Sequence, residues 1–149
     1  MLVIASDHGG AELKEAVKKC LEGRGIVCRD FGTFGDDSVD YPDFGVRVGM
    51  AVSRKETAQG ILICGTGIGM SIVANKFPGV RAALVHDEFT ARMAKEHNDA
   101  NVLVLGGRVL AADLACRLVS IWLDTDFAGG RHQKRLDKIA LLEKKLSRG

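Results

Sequence analysis

Apolar residues along this chain fall into two kinds of segment. Short, mainly apolar runs lie at Leu2–Ser6, Ile26–Phe31, Ile61–Cys64, Arg81–His86 and Val102–Leu105. A run of that length bounded by turn-forming residues reads as a buried strand. In the segments between them, apolar residues recur at helical spacing. Leu13, Val17 and Leu21 line one stripe of a helix over Ala11–Leu21, which Gly23 and Gly25 end. A second helix is expected from Pro42, a residue suited to a first helical turn, to about Lys55. Others follow over Gly69–Lys76, up to the Pro78-Gly79 break, then over Glu88–Glu96 and Ala111–Leu123. After Gly129-Gly130, a terminal amphipathic helix carries Leu136, Ile139, Leu142 and Leu146.

Strands alternating with helices predict a parallel sheet covered on both faces, with five strands in this case. The 149 residues suit one domain, 1–149, with a single core that needs neither staples nor structural metal. Composition changes this picture little. A 46% hydrophobic and 27% charged chain is ordinary for a globular protein. A net charge of +2 argues against a nucleic-acid or membrane surface driven by bulk charge. The apolar runs are far shorter than the ~20 residues of a membrane span. Basic residues do gather locally, at Arg131, His132, Lys134, Arg135 and Lys138, as a local anion site would require. Cys20, Cys28, Cys64 and Cys116 show no CxxC spacing, and the first residues are too short for a secretory apolar region. The expectation is a cytoplasmic protein with reduced thiols.

Ligands of parallel sheets bind beyond the carboxyl ends of the strands. Asp7-His8, Cys64-Gly65-Thr66 and Gly106-Gly107-Arg108 fall there, and His97-Asn98 lies just before the fifth strand, at a helix end. Gly65, Gly67 and Gly69 alternate between a strand and a helix start. The dinucleotide fingerprint would need glycine at position 70, and a Cys-x5-Arg phosphatase loop would need arginine there; Met70 excludes both. No Walker lysine follows. What remains is a row of backbone amides able to hold an anion beside a thiol; the bland alternative is a turn that needs glycine for packing alone. Cys64 can be a reagent or a small buried hydrophobe, and Cys20, Cys28 and Cys116 read as packing residues. Asp7 can contact a substrate or cap a helix. His97 and Asn98 can form a binding pair or a helix C-cap. Arg131 and Arg135, spaced i, i+4, put two guanidinium groups near the start of the last helix, against its dipole. That placement invites an external dianion such as phosphate; the competing reading is a solvated basic face.

Ser6-Asp7-His8-Gly9-Gly10, Asp40-Tyr41-Pro42-Asp43, Cys64-Gly65-Thr66-Gly67-Ile68-Gly69, Ala74-Asn75-Lys76, His97-Asn98-Asp99-Ala100-Asn101 and Gly129-Gly130-Arg131-His132 together resemble, in order, the ribose-5-phosphate isomerase type B family. That family also includes galactose-6-phosphate and allose-6-phosphate isomerases. The resemblance covers essentially the whole chain. It implies a three-layer, Rossmann-like α/β/α fold with an extra C-terminal helix, and no metal or organic cofactor. It also implies a homodimer or dimer of dimers, with sites built across the subunit interface. Cys64 would be the base that shuttles a proton between C1 and C2 through a cis-enediolate, assisted by Thr66. The amides of Gly65, Thr66, Gly67, Ile68 and Gly69 would hold the oxyanion. His97 would open the furanose ring and Asp7 would contact the sugar hydroxyls. His8, Arg108, Arg131 and Arg135 match phosphate- or substrate-binding positions, and Tyr41 and Asn98 binding ones. One branch of the family carries a glutamate base where Met70 stands, so this chain resembles the cysteine branch. The reaction implied is interconversion of ribose 5-phosphate and ribulose 5-phosphate. A six-carbon aldose 6-phosphate is the nearest alternative substrate, and a non-catalytic sugar-phosphate-binding module is the alternative class. The apolar stripe of the terminal helix is expected to pack on a second subunit, bringing Arg131 to a site at Cys64.

Overall fold

In a computed structural model, which describes residues 1–147, the five expected strands form one parallel sheet. Along the chain run β1 (Leu2–Ser6), α1 (Ala11–Gly23), β2 (Cys28–Asp30), α2 (Tyr41–Ser53), β3 (Gln59–Cys64) and α3 (Ile68–Ala74). Then come β4 (Ala82–Leu84), α4 (Glu88–Glu96), β5 (Val102–Gly106), α5 (Ala112–Asp124) and α6 (Arg131–Leu146). The spatial order is β2-β1-β3-β5-β4. The central strands β1, β3 and β5 are buried on both faces, which is why they read as unbroken apolar runs. Side chains of successive strand residues point to opposite faces. Leu2, Ile4, Ile61, Ile63, Leu103 and Leu105 therefore share one core half with α1, α4 and α5. Val3, Ala5, Leu62, Cys64, Val102 and Val104 share the other with α2 and α3.

The two edge strands are shorter than their apolar runs. Ile26–Phe31 pairs as a strand only over Cys28–Asp30, and Arg81–His86 only over Ala82–Leu84. Each has one neighbour and pairs with only the first three residues of that five-residue strand. Pro42 stands second in α2, behind Tyr41. The terminal helix departs further from expectation. Only its first turns face inward, at His132 and Leu136; Ile139, Leu142 and Leu146 are 50%, 55% and 71% exposed.

The expectation of reduced thiols throughout is corrected. Cys20 of α1 and Cys116 of α5 form a disulfide, with Cα atoms 6.1 Å apart. The two helices pack side by side on one face of the sheet, which brings the cysteines within bridging range. At 96 residues apart, nothing in their local sequence marks them as partners. Cys28 and Cys64 remain free.

Between α1 and β2 lies a buried ion pair. Lys14, 1% exposed, donates to Asp30 Oδ1 at 2.8 Å and to the Thr33 carbonyl, and Lys18 donates to Asp30 Oδ2 at 2.9 Å. Burial pushes the Asp30 carboxyl up, but the hydrogen bonds from Lys14, Lys18 and the Gly32 N–H more than reverse this, leaving it below the ordinary range.

Candidate active site

β1 and β3 are neighbours, with β2 on one side of the pair and β5 and β4 on the other. The strand order therefore reverses between them, and the crevice beyond their carboxyl ends is where such sheets take ligands. Asp7 leaves β1 there and Cys64 ends β3. Asp7 is 7% exposed and accepts from the Gly10 N–H at 3.1 Å, so it does cap a short 3₁₀ turn over His8–Gly10. His8 Nδ1 accepts from the Val39 N–H at 3.1 Å, tying the loop before α2 to the rim. In the neutral ring that bond leaves the proton on Nε2. Cys64 is 5% exposed and packs with the core half under α2 and α3. The other free cysteine, Cys28, has its thiol pushed up to about 11 by burial and by Asp30, which makes it a poor base.

The glycines give this crevice its floor. Gly67 lies in the left-handed region, at φ +82°, where a side chain would run into Leu84 and the Leu105 carbonyl. A side chain on Gly69 would meet the ring of Tyr41, the first residue of α2, so Tyr41 lies over the loop. A Cβ on Gly65 would stand 3.3 Å from the Arg108 guanidinium, and one on Gly9 would stand 3.2 Å from the Gly65 nitrogen. The Gly107 and Arg108 N–H groups donate to the carbonyls of Cys64 and Gly65 at 2.8 and 2.9 Å. The Thr66 hydroxyl accepts from the Ile68 N–H at 3.2 Å. The next amides, of Gly69 and Met70, belong to the first turn of α3 and have no helical carbonyl to bond. Asp7, His8, Tyr41, Cys64, the glycine loop and Arg108 thus share one rim.

His97, Asn98, Arg131 and Arg135 do not. α4 runs back across the sheet, and its C-cap, His97, sits beside the amino end of β5. In the parallel register Gly60 faces Val102 and Cys64 faces Gly106. The strand rise of about 3.3 Å per residue therefore puts about 13 Å of sheet between the two ends. The Ala128 N–H donates to the Glu96 carbonyl at 2.9 Å, which starts α6 beside His97 at that same amino end. Within the single chain the predicted residues form two clusters at opposite ends of the sheet.

The second cluster contains a residue that the sequence placed only among the basic residues and in a motif, without a role of its own. His132 is 7% exposed, and its ring stacks on His97 with centroids 4.1 Å apart and planes 14° from parallel. Its signal was in the sequence: it precedes the buried Leu136 by one helical turn. Burial lowers the His132 pKa, and His97, Arg131 and Arg135 add to this, with Glu96 opposing. The motif residues Asn75 and Asn101 have structural work. Asn75 bridges the end of α3 to both the N–H and the carbonyl of Ala82, and Asn101 bonds the Arg81 N–H and the Gly79 carbonyl. Among the described residues, no group of three His, Cys, Asp or Glu side chains is arranged to hold a metal ion. Nor is any helix long and apolar enough to cross a membrane.

A family model for ribose/galactose isomerases matches residues 2–139. Ribose-5-phosphate isomerase B of Escherichia coli is 41% identical over 144 residues, 97% of each chain. Among solved structures, ribose-5-phosphate isomerase B of Clostridium thermocellum superposes with a TM-score of 0.95 at 53% identity, covering 97% of this chain and 98% of that one. The Mycoplasma genitalium ribose-5-phosphate isomerase B, solved with bound ribulose-5-phosphate, gives a TM-score of 0.92 at 43% identity, covering 96% and 95%.

Proposed function

The chain belongs to the ribose/galactose isomerase family, and we propose that it interconverts ribose 5-phosphate and ribulose 5-phosphate. The observation that carries this reading is a full-length likeness to ribose-5-phosphate isomerases B in a chain whose switch-point crevice holds a free thiol beside open amides.

In the proposed mechanism the thiolate of Cys64 takes the C2 proton of the open-chain aldose. The amides of the glycine loop face the oxygens of the resulting enediolate, where charge develops. The thiol then returns the proton to C1 while the O2 hydroxyl proton passes to O1, giving the ketose. Thr66 closes the loop by bonding Ile68, and Asp7, held rigid by its own cap, accepts from sugar hydroxyls. His8, Tyr41 and Arg108 line the same rim and contact the substrate. Before proton transfer, His97 donates to the furanose ring oxygen as the C1–O bond breaks. Asn98 binds beside it, and Arg131 and Arg135 hold the phosphate.

The two clusters cannot meet within one protomer, so the reading requires a homodimer in which each site joins Cys64 of one subunit to His97 and Arg131 of the other. The exposed stripe of Ile139, Leu142 and Leu146 supports such an interface. A cytoplasmic location belongs to the same proposal, because sugar phosphates are charged metabolites that do not cross membranes unaided.

The test is Cys64→Ala, with turnover and binding measured separately. Loss of a positioned base is expected to reduce kcat by about 10²–10⁴-fold while ribose 5-phosphate binding persists. Full turnover in this variant would remove Cys64 from the reaction and favour a sugar-phosphate-binding module. Turnover of allose 6-phosphate by the same preparation measures the six-carbon alternative.

A further inference from the structure

The His97 imidazole lies face to face with a second, buried imidazole, that of His132. His97 sits at the C-cap of α4, half-buried, and among the described residues its ring makes no hydrogen bond within the chain. The plane of that ring is therefore set by what lies against its face, which is His132. His132 is itself held firmly. Its N–H donates to the Gly129 carbonyl at 3.0 Å, and Leu136 anchors the same face of α6 one turn on. The Ala128–Glu96 bond locks the start of α6 to the end of α4.

The electrostatics suit a stacking role. The charged groups around His132 are Arg131 and Arg135 on its own helix, and Glu96 and His97 from α4. Burial, His97 and both arginines disfavour a proton on His132, so the ring is neutral at neutral pH. A neutral ring can lie against His97 whether or not His97 carries a proton, whereas a second imidazolium would repel it. Arg131 and Arg135 are exposed on the outer side of α6, free to reach a phosphate, while His132 faces inward.

We propose that His132 is a positioning residue for furanose ring opening, holding the His97 imidazole at the angle from which it protonates the ring oxygen. This rests on the isomerase reading. In the step concerned, His97 gives a proton to the ring oxygen as the C1–O bond breaks. The C1 hydroxyl loses its proton to a base, leaving the open aldehyde with no net change in protons or electrons. His132 touches neither atom.

Two substitutions separate stacking from simple space-filling. H132L keeps buried volume without a flat face, and H132F restores a face that cannot titrate. Two activities are read on each purified variant. One is isomerisation of ribose 5-phosphate, which is a furanose in solution. The other is solvent-deuterium exchange at C1 of ribulose 5-phosphate, an open-chain ketose that needs only the Cys64 step. H132L is expected to lose about 10²-fold in isomerisation, the scale of a misplaced catalytic group, with exchange unchanged, and H132F to recover most of the loss. Wild-type isomerisation in H132L, a parallel fall in exchange, or an H132F no better than H132L would overturn the proposal. A wild-type protein that neither isomerises nor exchanges would instead overturn the isomerase reading.

Discussion

At Gly67 the chain turns from β3 into α3 with a positive φ of +82°, and both the backbone sign and the space exclude a side chain. An alanine there has to adopt a left-handed conformation and displace Leu84 or the Leu105 backbone. The expected cost of Gly67→Ala is about 2–3 kcal/mol, read as a lower midpoint in urea denaturation. Activity should fall further than stability, because in the proposed reaction the turn also aims the amides toward the enediolate. The glycine spacing made this residue legible from sequence. The role of Tyr41 above Gly69 was legible only through resemblance, since no local pattern links the start of α2 to a loop 28 residues away.

Between elements, two cross-links tie α1 to the rest of the domain. Asp30 joins β2 to Lys14 and Lys18, and its carboxyl stands below its ordinary range in the fold. A depressed carboxyl contributes stability in full above its unfolded value, about 3.9, and loses it as pH falls through the folded value. Asp30→Asn should therefore lower stability at pH 7 by about 3–5 kcal/mol, because Lys14 is left buried without its counter-charge. It should also flatten the acid limb of a stability–pH curve measured by denaturant titration. The Cys20–Cys116 bond closes a loop of 96 residues, and removing such a constraint from the unfolded chain costs about 4–5 kcal/mol. Reductant, or Cys20→Ser, should lower Tm in scanning calorimetry, and reductant should not lower it further in the Cys20→Ser variant. Neither link was legible in the sequence. The central strands were, because burial on both faces leaves unbroken apolar runs at Leu2–Ser6 and Val102–Leu105. Pairing between helices depends on which face of the sheet each one covers, and the 3.6-residue stripe does not carry that.

On the scale of the whole molecule, the parallel sheet separates what the sequence motifs seemed to gather. Residues after β1, β3 and β5 stand at one end, and residues at the end of α4 and the start of α6 stand at the other. The direction of each element was implicit in the alternation of strands and helices, since a helix leading into a parallel strand must end at the amino side. What that direction could not show was His132 folding back onto His97. In the proposed homodimer, a lesion in Cys64 and a lesion in His97 would therefore strike different sites of one dimer. Mixed after unfolding and refolding together, the inactive Cys64→Ala and His97→Leu chains should pair at random. Half of the mixed pairs' sites would then be doubly damaged and half intact, restoring roughly a quarter of wild-type turnover in a symmetric dimer. Two dead proteins would make one live enzyme, and a mixture that stayed inactive would place each site wholly within one subunit.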